Sequence, residues 1–96
     1  MNARILGRMA HALDRYERSE IGVCQVESVM DSHVSALEGV HSGHRREAAA
    51  LIVRLFNADL STPPAIYKGQ VLEFEGTEPV AHVLKDIRAF LASLPR

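Results

Sequence analysis

The chain has 96 residues and a mass of 10.6 kDa, room for one domain and one core but not for a second lobe. Hydrophobic residues make up 47% and charged residues 24%, which excludes a disordered chain. Eleven Lys and Arg against twelve Asp and Glu leave no bulk charge to draw nucleic acid, and no apolar run approaches the roughly 18 residues of a membrane span.

Helical periodicity runs through most of the sequence. From Ala3 to Arg18 the apolar residues Ile5, Met9, Ala12, Leu13 and Tyr16 recur at spacings of three and four, the pattern of an amphipathic helix with its arginines outward. Ser19 is a candidate N-cap for a second helix, with Glu20 beside it suiting the positive helix end. That helix should reach about Glu38, with Gly39 and Gly43 available to end it. Its apolar arc is Val23, Val26, Val29, Met30, Val34, Leu37 and Val40.

A third helix is expected from about Arg45 to Asp59, with Ala48, Leu51, Ile52, Leu55 and Phe56 as its buried stripe. Ser61-Thr62-Pro63-Pro64 cannot continue a helical ladder. Near residues 65–75, Val71 to Glu75 alternates between Gly69 and Gly76, which suits a short extended segment or hairpin. Thr77 is the expected cap of the last helix, which has Pro79 in its first turn. Val80, Val83, Leu84, Ile87, Leu91 and Leu94 face its core side. The fold class expected is all-α, a compact antiparallel bundle of three to four helices in a single domain spanning residues 1–96.

Charge is distributed unevenly. Between Ser19 and Gly43 there is no Lys or Arg, while Glu20, Glu27, Asp31 and Glu38 lie there at steps of seven, four and seven. At about 100° per residue those steps return each carboxylate to within about 20° of the first. On one helix the four would form a single acidic row beside the apolar arc. Ordinary surface helices gain a few tenths of a kcal/mol from opposite charges one turn apart, and like charges at the Glu27–Asp31 spacing cost as much. Such a row is commonly no more than a solvated face. A helix that forgoes pairing is also what a basic partner would select.

Basic residues gather elsewhere. Arg4, Arg8 and Arg15 share one face of the first helix, and Arg45, Arg46 and Arg54 lie on the third. Followed by a hairpin, the latter set has the look of a DNA-reading helix. Glu73, Glu75 and Glu78 beside it would repel phosphate.

No residue set carries a recognisable chemistry. His41 and His44 are flanked by Glu38 and Glu47, but Ser42-Gly43 between them should break a helix and leave no fixed metal geometry. Cys24 has no partner cysteine, which excludes an intrachain disulfide and fits a reducing compartment. Its place in the helix suggests a buried thiol acting as a small hydrophobe. His33 projects onto the apolar arc. The six glycines form no phosphate-cradling pattern. Neither an enzyme nor a cofactor or metal site is expected, and Met1-Asn2-Ala3-Arg4 leading into a polar stretch suggests a cytoplasmic chain without a secretory leader.

Tyr16-Glu17-Arg18-Ser19-Glu20-Ile21 leads into a helix ending Ala36-Leu37-Glu38-Gly39-Val40, and an Arg-bearing helix follows. This layout, over about residues 13–56, resembles the small helical immunity proteins of bacterial toxin systems, including those of contact-dependent inhibition. The resemblance implies a protein that binds a cognate toxin domain, often a basic nuclease, and covers its active site. Glu20, Glu27, Asp31 and Glu38 would then meet toxin lysines and arginines, with Val23 and Val34 supplying a dry margin. No direct nucleic-acid contact and no membrane are implied. Two alternatives stand beside it: a small DNA-binding regulator using the Arg45–Arg54 helix, and a homodimer through Val29, Met30 and His33.

Overall fold

The computed structural model describes residues 2–59, 66–67, 70–71 and 78–95. The described residues form four helices, α1 (Asn2–Glu17), α2 (Val23–Ala36), α3 (Ser42–Ala58) and α4 (Val80–Ser93). Between α3 and α4 lies a minimal antiparallel hairpin in which Ile66 pairs with Val71 and Tyr67 with Gln70. The hairpin thus sits inside the 65–75 window, earlier than the Val71–Glu75 alternation suggested. Leu72 to Glu75, Gly76 and Thr77 lie outside the described residues.

Each helix packs against its neighbours in the chain, and α4 returns to α1 to close the ring. The apolar stripes point inward as their spacing requires. On α3 all of Ala48, Leu51, Ile52, Leu55 and Phe56 are buried; on α4 Val83, Leu84, Ile87, Leu91 and Leu94 are buried as expected, Phe90 joins them, and Val80 in the first turn is only half-buried. Met9, Leu13, Val26, Met30, Ile52, Leu55, Val83 and Ile87 are almost wholly enclosed. All four helices thus supply the centre, each such side chain contributing about 1.5–3 kcal/mol of burial.

Asn2 sets the direction of three helices at one end of the bundle. Its buried carboxamide donates to the carbonyls of Glu38 (2.8 Å) and Pro95 (2.9 Å) and accepts from the Glu38 N–H (3.0 Å). The start of α1 therefore lies beside the ends of α2 and α4, so α1 runs antiparallel to both. Asn2, a polar residue to which periodicity assigns no role, is thus a buried clamp.

The helix ends differ from the sequence expectation for local reasons. Ser19 is no N-cap: it closes α1. Its backbone is left-handed (φ 61°), its N–H donates to Tyr16 O (3.0 Å), and the Glu20 N–H donates to Arg15 O (2.8 Å). These are the two bonds of a Schellman C-terminus, whose left-handed position is usually glycine. The N-cap of α2 is Gly22, whose N–H donates to the Gln25 side chain (3.0 Å). Gly39, with φ 75°, turns the chain after α2. Gly43 instead lies in the first turn of α3. His41 is the N-cap there and accepts from the Gly43 N–H (3.0 Å), and a Cβ at residue 43 would lie 2.8 Å from the His41 ring. Glycine at 43 makes room for the capping imidazole. α4 is capped by Pro79.

Two stability predictions follow from these contacts. Asn2→Ala removes three hydrogen bonds and orphans backbone groups at a buried junction, and should lower unfolding free energy by about 2–4 kcal/mol in urea titration. Ser19→Gly relieves a left-handed L-residue and should raise it by about 1 kcal/mol in the same assay.

Candidate functional site

The expected acidic row does not exist as one helical face. α2 begins at Val23 and ends at Ala36, so Glu20 lies in the turn before it and Glu38 in the turn after. Glu20 is also not kept free of cations. Arg18 donates to it at 2.6 Å and Arg15 at 3.4 Å, and the Arg18 hydrogen bond holds its carboxyl below the usual range. The Schellman turn folds Glu20 back onto Arg15 and Arg18 at the end of α1.

Glu27 and Asp31 remain one turn apart on one flank of α2, Glu27 half-buried and Asp31 exposed. Glu38 is exposed beyond the helix end, its backbone held by Asn2. Val23 and Val34 are 3% and 4% exposed, so they belong to the core and cannot form a dry margin for a partner. Cys24, expected to be buried, is exposed in the first turn of α2.

The flank bearing Asp31 faces α3 across a groove of about 320 Å³. Its floor is Met30, Val34 and Ile52, and its far bank carries Arg45 and Arg46. Asp31 thus shares the groove with two exposed arginines, and the groove presents both signs of charge. Sequence reasoning missed this pairing because it depends on how α2 and α3 lie side by side. Arg54, the third member of the basic set on α3, turns away from this groove. It donates to Glu78 (3.1 Å from Nε) and to Asp86 (2.8 Å), which removes it from any DNA-reading row.

A larger concavity of about 740 Å³ opens among the described residues at the other end of the bundle, where Asp59 and Val80 flank the 60–77 segment. In its wall the Tyr16 hydroxyl donates to Asp59 Oδ2 at 2.6 Å. Burial, with the Asp59 carboxylate added, pushes the Tyr16 phenol well above its ordinary range. A phenol locked in its protonated form against a carboxylate serves neither as base nor as ready acid at neutral pH. Arg88 on α4 reaches Asp14 (2.8 Å) and Glu17 on α1 beside this cavity. Both contacts tie α1 to α4.

The histidines act as caps and packing groups. His41 and His44 stack with ring centroids 3.9 Å apart, and His44 Nδ1 accepts from the His41 N–H at 3.3 Å. Ser42-Gly43 therefore lies within α3 and does not break it. His33 is half-buried, its Nδ1 2.8 Å from the Val29 carbonyl. Among the described residues no group of three or more His, Cys, Asp or Glu is placed to hold a metal ion, and no helix is long and apolar enough to cross a membrane.

No family model, curated protein or solved structure matches this chain. Its sites therefore stand on their own chemistry.

The Tyr16–Asp59 bond yields a signed pH prediction. Because the folded phenol binds its proton more tightly than the unfolded one, its contribution is complete below about pH 10 and is lost as pH rises beyond that value. Unfolding free energy measured from about pH 9 to 11 should fall more steeply in the wild type than in Tyr16→Phe, which cannot ionise there.

Proposed function

We propose that this chain is a stoichiometric binding protein of the immunity type, neutralising a cognate protein toxin by contact and without catalysis. The observation that carries the reading is the flank of α2. Glu27 and Asp31 stand one turn apart there, Glu38 follows in the next turn, and no Lys or Arg occurs between Ser19 and Gly43. The helical layout over residues 13–56 that resembles small immunity proteins adds to it. Glu20, Val23 and Val34 drop out of the contact set, being ion-paired or buried.

Arg45 and Arg46 across the groove refine the partner's chemistry. A surface that answers this one brings lysines or arginines to Glu27, Asp31 and Glu38, and a carboxylate to the far bank. Complementary charge of both signs fixes register and speeds encounter. A purely basic substrate groove would meet the α2 flank but be repelled by the arginines.

The DNA-regulator alternative has less support, since Arg54 is held by Glu78 and Asp86. The same experiment separates the two. A candidate toxin encoded by the neighbouring gene is expressed with and without this chain, and survival is scored. Wild-type protein should protect. Glu27→Lys combined with Asp31→Lys should weaken binding by about 2–5 kcal/mol and abolish protection, while circular dichroism and Tm stay close to wild type. Undiminished protection by the double variant overturns the charge-based contact. Salt-sensitive binding of duplex DNA by the wild type would favour the regulator.

A further inference from the structure

The opposite flank of α2 has a different character. Between α1 and α2 runs a second groove of about 320 Å³. Arg8, His11 and Arg15 line it from α1, and Gln25, Ser28 and His33 from α2. No Asp or Glu is among its lining residues. The α1 residues recur at steps of three and four, so they form one ridge along the groove.

Three features keep this groove cationic. The two carboxylates of α1, Asp14 and Glu17, are both drawn to Arg88 on α4 and so are not spent on Arg8 or Arg15. Arg8 has no ion pair among the described residues. Arg15 has only the longer of the two contacts to Glu20, at 3.4 Å against 2.6 Å for Arg18. Glu20 can therefore stay with Arg18 while Arg15 turns to a ligand.

The donors are also suited to an oxyanion. Arginine presents a planar fork of N–H groups that matches phosphate oxygens. Gln25 and Ser28 add neutral donors. The Val29 carbonyl can only accept, so His33 Nδ1 carries a proton toward it (2.8 Å), and Nε2 of the neutral ring is an acceptor that can meet a hydroxyl of the ligand but not a phosphate oxygen. A carboxylate would match one of the two guanidinium groups. A phosphate monoester, with about −1.5 to −2 charges near pH 7, matches both.

We propose that the α1–α2 groove is a binding site for a small phosphate monoester, its dianionic head held by Arg8 and Arg15 with the Gln25 and Ser28 donors completing the shell and His33 beside the organic part. The site lies on the α1 side of α2, away from the carboxylate flank facing α3, so it is independent of the toxin-binding reading.

The test is an NMR titration of the whole chain with inorganic phosphate, adenosine 5′-monophosphate and acetate as separate probes. Inorganic phosphate and the monophosphate should both shift Arg8, His11, Arg15 and His33 resonances. Tighter binding of the nucleotide would show that the groove also holds the organic part, and equal binding that it reads the phosphate alone. Acetate should bind at least about tenfold more weakly. Arg8→Gln combined with Arg15→Gln alters only exposed side chains and should weaken phosphate binding about tenfold or more with Tm nearly unchanged. Arg45→Gln combined with Arg46→Gln removes the same charge elsewhere and should leave affinity within about twofold. The proposal is overturned if neither phosphate probe shifts the groove at about 10 mM, or if both double variants weaken binding equally. Stronger binding of a single-stranded oligonucleotide, with a steep salt slope, would overturn it in favour of a nucleic-acid surface.

Discussion

Closing the helix ring between α1 and α4 is the constraint on which the bundle depends. The helices among the described residues have 14 to 17 residues, close to the length of about 12–15 below which isolated helices are marginal in water, and most helical stability in proteins comes from packing. Each must therefore be held by its neighbours. The α1–α4 seam has little to pack with, because Ala3, Gly7, Ala10 and Ala92 leave a shallow groove along it. Polar contacts compensate. Arg88 spans to Asp14 and Glu17 toward one end, and Asn2 reaches the Pro95 carbonyl at the other. Their weights differ. The Arg88 pairs are about half-exposed, and ion pairs in such settings are worth about 0–1 kcal/mol. The Asn2 carboxamide is 4% exposed and satisfies three backbone groups from two other segments, so it carries more of the closure.

That closure also decides where charge is available to other molecules. By taking Asp14 and Glu17, Arg88 leaves the outer face of α1 to Arg4, Arg8, His11 and Arg15. By engaging Glu78 and Asp86, Arg54 leaves α3 with Arg45 and Arg46 at its exposed start. α2 supplies no Lys or Arg at all and separates a groove of cations alone from one that carries both signs. One, toward α1, is lined by cations and neutral donors. The other, toward α3, sets Asp31 against arginines. A formal net charge of −1 conceals this partition.

Helix faces were legible in the sequence and helix ends were not. Spacing alone identified the stripe of α3 apart from Ala58 and most of the core of α4, because burial of a periodic face is a property of the segment itself. Phe90 was overlooked although it stands one turn beyond Ile87. Ends depend on single backbone conformations and on contacts across a turn. Ser19 reads as an N-cap because serine favours that position, yet here it adopts the left-handed backbone that closes α1. Gly43 reads as a helix stop but accommodates the His41 ring. The same errors of one turn at each end of α2 extended a two-residue carboxylate flank into a four-residue row. Glu27 and Asp31 were placed correctly for that reason, and Glu20 and Glu38 were not. The Arg45–Arg46 bank and the Tyr16–Asp59 bond, 43 residues apart in sequence, depend on helix adjacency, which no local pattern encodes.

The direction of the proton equilibria bears on what such a surface can do. Among the described residues every resolved shift moves away from neutrality. The Tyr16 phenol is raised, Arg54 and Arg88 are raised by their carboxylates, and Glu20 and Glu78 are lowered by their arginines. Catalytic acids and bases are commonly tuned the other way, toward the working pH. Here the pairings lock each group into the charge state it already prefers. Each of these pairings outside the turn at Glu20 joins two parts of the bundle: Arg88 ties α4 to α1, Arg54 ties α3 to α4, and Tyr16 ties α1 to the residue that ends α3. The locked groups therefore serve the closure of the helix ring, and they do so without depending on pH near neutrality.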